Sequence, residues 1–507
     1  MTEERIPVCD AFARYCSAET YAQIVDYPCV GAMWEHCLSA YGELPAVTDG
    51  ETAYTYAQLE EAAARVRGTL QANGVQRGDT VAIYMQNSCD FVIAFLGCAT
   101  YGAVALLLPP QLPEQAVFGC CYKYRVKLIL TTPQLAANTA SAREKLGLKA
   151  LTGADYLDKA LPNVICEAQE PCVILFTGGT TGKSKGALLN HGAVLRGAKN
   201  GCYGYEDVFC QRYLLVLPLT HVFGLIRNLM TNLYTGSCLF ICKNNKDMFR
   251  DIAVFKPTIL VLVPALAEMA LNLSKQFGRN MLGDSLKYII CGAATVAPYL
   301  VAEYQKLGIT LFPGYGLTES ANLVSGNPES VSKPGSVGLP YEGQQLRVVD
   351  GELWLKGVNM MDGYACDPEE NAAAYTDGWF RTGDLVRFDE EGFLYITGRI
   401  KEIIVLPSGE NISPAELEAL FNEVDIIQDS LVYYSEKDRA LAVMVYPRAV
   451  MVGKKGITDV RGAVTEAVNG INAKLPSYRR VSKIVLRDTD FARSPSMKIL
   501  RGKNGEE

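Results

Sequence analysis

The stretch TGGTTGKSKGA, residues 177–187, decides how this chain is read. At first sight it is a P-loop, G-x-x-x-x-G-K-[ST], whose N–H groups wrap phosphates and whose lysine reaches the outer ones. Counting back from Gly182, Lys183 and Ser184 puts the required first glycine at position 177, which is Thr177. The P-loop match therefore fails at the residue that makes the tight turn. What remains is a loop rich in hydroxyls (Thr177, Thr180, Thr181, Ser184) and in freely turning glycines (Gly178, Gly179, Gly182, Gly186). Hydroxyls and closely approaching backbone N–H groups together suit phosphate oxygens. The apolar run CVILF, residues 172–176, precedes the loop and reads as a buried strand.

Working outward, 507 residues exceed one hydrophobic core and imply two or more domains. With 49% hydrophobic and 20% charged residues the balance is that of a globular protein. A net charge of −7 and no long basic run exclude nucleic acid as the main partner. The opening MTEERIPVCD lacks the apolar core of a signal peptide, and the sixteen cysteines include no C-x-x-C. Reduced core thiols in a cytoplasmic protein are expected, without zinc. Residues 91–108 carry no charge over 18 positions, long enough to suggest a membrane span. Ser88 and Asp90 look like a helix start, however, Gly102 breaks the run, and VALLL then stops at Pro109 and Pro110. A buried helix feeding a buried strand is expected, with no transmembrane segment.

Helical and strand patterns alternate along the chain. Residues 56–73 form an amphipathic helix with Leu59, Ala63, Val66 and Leu70 on one face. Strands are expected at 80–85, 127–131, 172–176, 213–218, 237–242, 258–263 and 288–291. Such alternation predicts an α/β unit with mainly parallel sheets. Between 335 and 399 the texture changes to short strands with frequent Gly and Asp. Beyond 399 come a helix at 416–423, strands at 429–434 and 440–446, a helix at 460–474 and a strand at 480–486. Two domains are expected, 1–399 and 400–507, with a short hinge near 399–402.

Four further segments are LPLTHVFGL (217–225), PGYGLTES (313–320), DGWFRTGDLVRFDEEGFLYITGRIKEII (377–404) and RSPSMKILRGK (493–503). In this order and spacing after the opening loop, the chain resembles the adenylate-forming superfamily of acyl-CoA synthetases, luciferases and peptide-synthetase adenylation domains. The resemblance runs from about residue 52 to the C-terminus. It implies a large N-terminal domain of two packed α/β sheets plus a small β-barrel, then a small α+β C-terminal domain. The active site lies between them. A carboxylate attacks the α-phosphate of ATP, giving acyl-adenylate and pyrophosphate; the thiol of coenzyme A then takes the acyl group and AMP leaves. ATP, Mg²⁺ and CoA as co-substrate are the implied cofactors.

The same resemblance assigns roles. Thr177, Gly178, Gly179, Thr180, Thr181 and Gly182 hold pyrophosphate oxygens, and Lys185 occupies the family's fixed lysine slot. Lys183 falls in a variable slot, and Ser184 stands where the family has proline. His221 orients the acyl carboxylate and later gates the thiol path, whereas His36 and His191 are structural. Amino-acid-activating relatives carry an Asp in this segment; here Val222 follows His221, so a buried substrate ammonium would lack a counter-ion. The Tyr315 ring lies against adenine, Gly316 belongs to the same ATP/AMP-binding segment, Thr318 contacts phosphate, and Glu319 holds Mg²⁺ as a hard oxygen ligand. Asp384 accepts the ribose hydroxyls, Arg399 contacts ribose or phosphate, and Lys401 is the hinge. Gly409 belongs to the thiol tunnel. Lys498 is the catalytic lysine beside the transferring phosphoryl group. Ile499 and Arg501 match the family pattern around it, while Ala492 and Met497 depart from it.

Val222, Phe223, Gly292, Ala293, Ala294 and Val324 are expected to line the acyl pocket, which suits an aliphatic or aryl acid without charge at its far end. KEIIVLPSGENISPAELE, residues 401–418, is similar to the fatty-acyl branch. An alternative is an adenylation enzyme that loads an acid onto carrier-protein phosphopantetheine. A non-catalytic nucleotide-binding relative is disfavoured, since Lys185, His221, Glu319, Asp384, Arg399 and Lys498 are all kept.

Overall fold

The computed structural model describes residues 3–6, 11–177, 185–407, 410–493 and 499–504. Two large sheets organise the first 340 or so residues. The nine-stranded one runs Leu339–Pro340, Ser325–Gly326, Thr310–Tyr315, Tyr288–Cys291, Ile259–Leu262, Arg212–Leu215, Cys238–Ile241, Pro45–Thr48, Ala53–Thr55. Its six middle strands, Thr310–Tyr315 through Pro45–Thr48, are parallel to one another. The seven-stranded one runs Gly363–Tyr364, Gly186–Asn190, Pro171–Phe176, Val104–Leu107, Thr80–Tyr84, Leu128–Thr131, Lys149–Leu151. From Pro171–Phe176 onward it too is parallel. Parallel strands covered on both faces need continuous apolar runs, and Val104–Leu107 and Leu128–Thr131 are buried at every position.

The helix Tyr56–Ala72 starts at a reciprocal cap between Thr55 and Gln58 and buries Leu59, Ala63, Val66 and Leu70. It packs closely against Cys89–Tyr101, because a Cβ on Gly97 would meet Val66 Cβ at 2.5 Å. That second helix holds most of the uncharged run. Ser88 caps its start, Gly102 ends it at φ 83°, and Val104–Leu107 follows as a strand. Thirteen residues span only about 20 Å, short of a bilayer core. Among the described residues no helix is long and apolar enough to cross a membrane.

The β-rich portion is a six-stranded antiparallel sheet that also recruits Glu3–Ile6. Its strands Trp379–Phe388 and Leu394–Arg399 pair with Asp384 opposite Arg399. Beyond this, Ile427–Ser435, Ala440–Pro447 and Lys483–Leu486 form a three-stranded sheet covered by Pro414–Asn422 and Val460–Asn472. Its separate core includes Leu417, Phe421, Val432, Val443, Val464 and Val468. The last strand begins three residues later than its apolar pattern suggests, because Ser477–Arg479 is a 3₁₀ turn. Arg448 reaches back to the larger part, 2.7 Å from Glu268 and donating to the Tyr299 hydroxyl at 3.1 Å.

Candidate active site

Pro171–Phe176 returns antiparallel as Gly186–Asn190, with Phe176 opposite Gly186. The Thr177 N–H donates to the Lys185 carbonyl at 2.9 Å and closes the loop at its neck. The glycine- and hydroxyl-rich loop is thus a hairpin connection. The next helix, His191–Asn200, starts only after the return strand. A P-loop leads directly into a helix N-terminus; here a strand, Gly186–Asn190, comes between the loop and the next helix. Gly178, Gly179, Thr180, Thr181 and Gly182 lie outside the described residues, as do Lys183 and Ser184.

Lys185 stands at the neck with its side chain 19% exposed, ion-paired to Glu370. Its ammonium lies 4.9 Å from the centre of the Tyr364 ring. The Tyr364 hydroxyl donates to Glu319 Oε1 at 2.7 Å. Burial and the Glu319 carboxylate both push this hydroxyl's pKa up, so it stays protonated and remains a donor. A single ring therefore ties Lys185 to Glu319. Neither Tyr364 nor Glu370 is in a recognised motif, and nothing local in the sequence signals them.

Glu319 sits in the 3₁₀ turn Thr318–Ser320 directly after Thr310–Tyr315. Gly316 is required there, since a Cβ would lie 1.1 Å from the Asn322 carbonyl oxygen. Ala321 and Asn322 adopt left-handed φ of 48° and 83° to fold the chain back, a strained choice for non-glycine residues. The Glu319 carbonyl accepts from Met361 N–H at 2.8 Å, and Thr318 is buried.

Asp384 is only 2% exposed. Its Oδ2 accepts from the Tyr315 hydroxyl at 2.6 Å, and Oδ1 accepts from Arg399 Nε at 2.5 Å. Burial works against the Arg399 charge, but the Asp384 carboxylate holds its pKa above the ordinary value. The preceding turn is fixed by Glu352, which accepts from Gly383 N–H at 3.0 Å and pairs with Arg381.

His221 follows the strand Arg212–Leu215 and heads the π-helix Phe223–Met230. Its Nδ1 accepts from the Phe223 N–H at 3.3 Å, which assigns the neutral tautomer its proton on Nε2. Asn87, from the other large sheet's side, braces this exit: it donates to the Leu217 carbonyl at 2.8 Å and accepts from Leu219 N–H at 2.9 Å. Sequence reasoning missed Asn87.

The expected pocket residues separate. A Cβ on Gly292 would lie 3.1 Å from the Gly314 carbonyl oxygen and 3.5 Å from Phe223 Cζ, so these three residues pack closely together. Val222 is buried beside Phe223; Ala293 turns the chain at φ 67°, and Ala294 is exposed. Val324 belongs instead to the core of the six-stranded sheet with Leu346 and Leu353. Its neighbour Leu323, in the same non-strand segment before Ser325–Gly326, is the one that approaches Gly314.

The AMP-binding enzyme model matches residues 34–365, and the AMP-binding enzyme C-terminal domain matches residues 401–507. The chain belongs to the AMP-binding enzyme family. It is 31% identical over 477 residues to an indoleacetate–CoA ligase of Aromatoleum aromaticum, covering 87% of this chain and 91% of that one. A 4-coumarate–CoA ligase-like protein of Arabidopsis thaliana is 28% identical, covering 84% and 82%. The fold matches the ATP-bound crystal structure of MatB from Rhodopseudomonas palustris with a TM-score of 0.82 at 23% identity, over 93% and 97% of the two chains. The protein is accordingly an AMP-forming acyl-CoA ligase that uses ATP and CoA.

In this AMP-binding enzyme Lys401 is exposed within the turn Ile400–Glu402, and Glu402 lies 3.3 Å from Arg501. Arg501 also pairs with Glu418. Lys498 and Gly409 lie outside the described residues. The segment carrying Lys498 is framed on both sides, because Arg493 and Ile499 form an antiparallel bridge and Leu500 N–H donates to the Ala492 carbonyl at 2.9 Å. Arg227, which lies outside every motif, is buried as well.

Proposed function

We propose that this ligase activates a hydrophobic, ring-bearing carboxylic acid and transfers it to CoA. The observation that carries the reading is the convergence on the end of Thr310–Tyr315. There Tyr315 holds Asp384, and three residues later Glu319 is held by Tyr364, which also faces Lys185. Nucleotide and phosphate contacts are thus set along one strand end, where α/β folds bind ligands.

Asp384, displacing nothing but its own Tyr315 and Arg399 partners, accepts the ribose hydroxyls, with adenine against the Tyr315 ring. Thr177, the loop after it and Thr318 hold the phosphates. Glu319 would hold Mg²⁺ as a hard carboxylate ligand beside the phosphates. When bound, the ion neutralises charge on the phosphates. His221 Nε2–H donates to the acid's carboxylate and orients it, while Lys185 and Lys498 stabilise charge between acid and α-phosphate. A carboxylate oxygen bonds to the α-phosphorus as the bond to pyrophosphate breaks. In the second step the CoA sulfur bonds to the acyl carbon, its proton leaves, and the bond to AMP oxygen breaks. We place the domain boundary at Arg399 and the hinge at Lys401, with Gly409 on the path of the thiol.

Residues 401–418 point toward an aliphatic acid, whereas relatives named for indoleacetate and 4-coumarate point toward an aromatic one. The Phe223 ring, close to Gly292 and Gly314, offers an aromatic face that suits a flat ring. Free thiols at every described cysteine fit a cytoplasmic enzyme. The test is to supply ATP, Mg²⁺ and an acid panel, then to compare CoA with carrier-bound phosphopantetheine. AMP and pyrophosphate are the expected products, and ADP with phosphate would refute the reading.

A further inference from the structure

Arg448 directly follows the strand Ala440–Pro447 of the small domain and is 5% exposed. Its Nη1 donates to the Asp425 carbonyl at 2.9 Å, which anchors it within that domain. Its Nη2 crosses to the large part, 2.7 Å from Glu268 Oε1 and donating to the Tyr299 hydroxyl at 3.1 Å. The guanidinium also stands 4.9 Å from the centre of the Tyr299 ring. One side chain thus grips both domains. Among the described residues no other ion pair joins the part before residue 400 to the part after it. Arg501, by contrast, pairs with Glu402 and Glu418 inside the small domain and travels with it.

Where Glu268 and Tyr299 stand gives the grip its direction. They sit near the starts of the helices Pro264–Phe277 and Pro298–Lys306, which follow the parallel strands Ile259–Leu262 and Tyr288–Cys291. Helices that follow parallel strands in this way start at the strands' carboxyl edge, where Gly292, Tyr315 and Glu319 also stand. On the small-domain side, Arg493 lies 2.6 Å from Asp429 and forms the antiparallel bridge with Ile499. Burial pushes the Asp429 carboxyl up to about 6, with Arg493 opposing and the Glu268 carboxylate adding to the rise. Glu268 is therefore close both to Arg448 and to the strand on which Arg493 is anchored.

We propose that Arg448 is a positioning residue for the first half-reaction. By gripping Glu268 and Tyr299 it holds the small domain with Asp429 and Arg493 turned toward the site edge of the nine-stranded sheet. The proposal rests on reading Lys498, between Arg493 and Ile499, as the first-step lysine and Lys401 as the hinge. A buried ion pair suits this use. While the grip is closed, loss of one partner strands a buried charge, which costs far more than losing an exposed pair. When the small domain turns about Lys401, Arg448 and Glu268 separate into water and regain their hydration. The grip thus favours one orientation without forbidding the other.

The test reads the two half-reactions of the full chain separately. ATP–pyrophosphate exchange, with the acid of the panel that releases pyrophosphate fastest, reports the first; thioester formation from synthetic acyl-adenylate and CoA reports the second. Arg448→Met and, on the large part's side, Glu268→Gln should each slow exchange roughly tenfold, the scale of one charged hydrogen bond. Thioester formation should stay unchanged or rise. Arg448→Lys should recover part of the loss, and the double variant should lose little more than either single one. Small-angle X-ray scattering reads the domain orientation without substrate: the natural protein should match the arrangement described above, and Arg448→Met should depart from it. Equal slowing of both half-reactions would overturn the proposal, and so would a scattering profile that Arg448→Met leaves unchanged. If no acid supports exchange, or if Lys498→Ala keeps it, the reading of the site fails instead, while scattering still decides whether Arg448 holds the domains.

Discussion

The hydroxyl of Tyr315 donates to Asp384 Oδ2 at 2.6 Å, although 69 positions separate the two residues. The group expected against adenine and the group expected on ribose are therefore one unit. Asp384→Ala removes a charged acceptor for two hydroxyls, each such bond being worth about 1.5–3 kcal/mol. The KM for ATP should rise at least about tenfold. Tyr315→Phe keeps the ring and should cost less. Because the residues touch, the double variant should lose less than the sum of the two. Steady-state kinetics with varied ATP checks this, and unchanged values for Asp384→Ala would show the motif misplaced.

Lys185 is held by Glu370, whose side chain is 42% exposed. On the role proposed for Lys185, this carboxylate competes with phosphate for the same ammonium. An exposed ion pair contributes roughly 0.2–1 kcal/mol. Glu370→Gln should therefore lower the KM for ATP by about two- to fivefold at low salt, and the gain should shrink as salt is added. A raised KM would mean that Glu370 positions the lysine instead of competing for it.

Lys498 is expected to serve only the first step, leaving the site when the small domain turns about Lys401. Lys498→Ala should lose acyl-adenylate formation by on the order of a hundredfold, the scale of one preorganised electrostatic group. Supplied with synthetic acyl-adenylate and CoA, it should make thioester at close to the normal rate. Lys401→Pro fixes a backbone φ and removes an N–H, so it should show the opposite bias. Equal damage to both half-reactions in both variants would falsify the hinge.

His191 is fully buried, and its Nδ1 accepts from the Val30 N–H at 3.4 Å. Burial lowers its pKa from 6.5 to about 4, with Glu170 opposing in part. Between those values the unfolded chain binds a proton that the folded chain refuses. Stability is thus greatest above pH 6.5 and is lost as pH falls toward 4, by roughly 3 kcal/mol from this group. Thermal unfolding at pH 4 to 7 should show the natural protein losing more over that window than His191→Gln. Parallel curves for the two would exclude His191 as the cause.

The sequence by itself determined whatever neighbouring residues encode. The alternating apolar runs specify buried parallel strands, and Gly102 separates helix from strand within the uncharged run. The contiguous motifs name Lys185, His221, Glu319, Asp384 and Arg399 without reference to any partner. Contacts between distant segments could not be read this way, because periodicity and motif spacing carry no record of which strands lie side by side. Only the tertiary structure puts Tyr364 between Lys185 and Glu319, braces His221 through Asn87, and sends Val324 into another core while Leu323 faces Gly314. Arg227 is the extreme case. In sequence it is one cation among 48 lysines and arginines, and only three-dimensional packing shows that it is buried among Tyr205, Tyr213 and Tyr341.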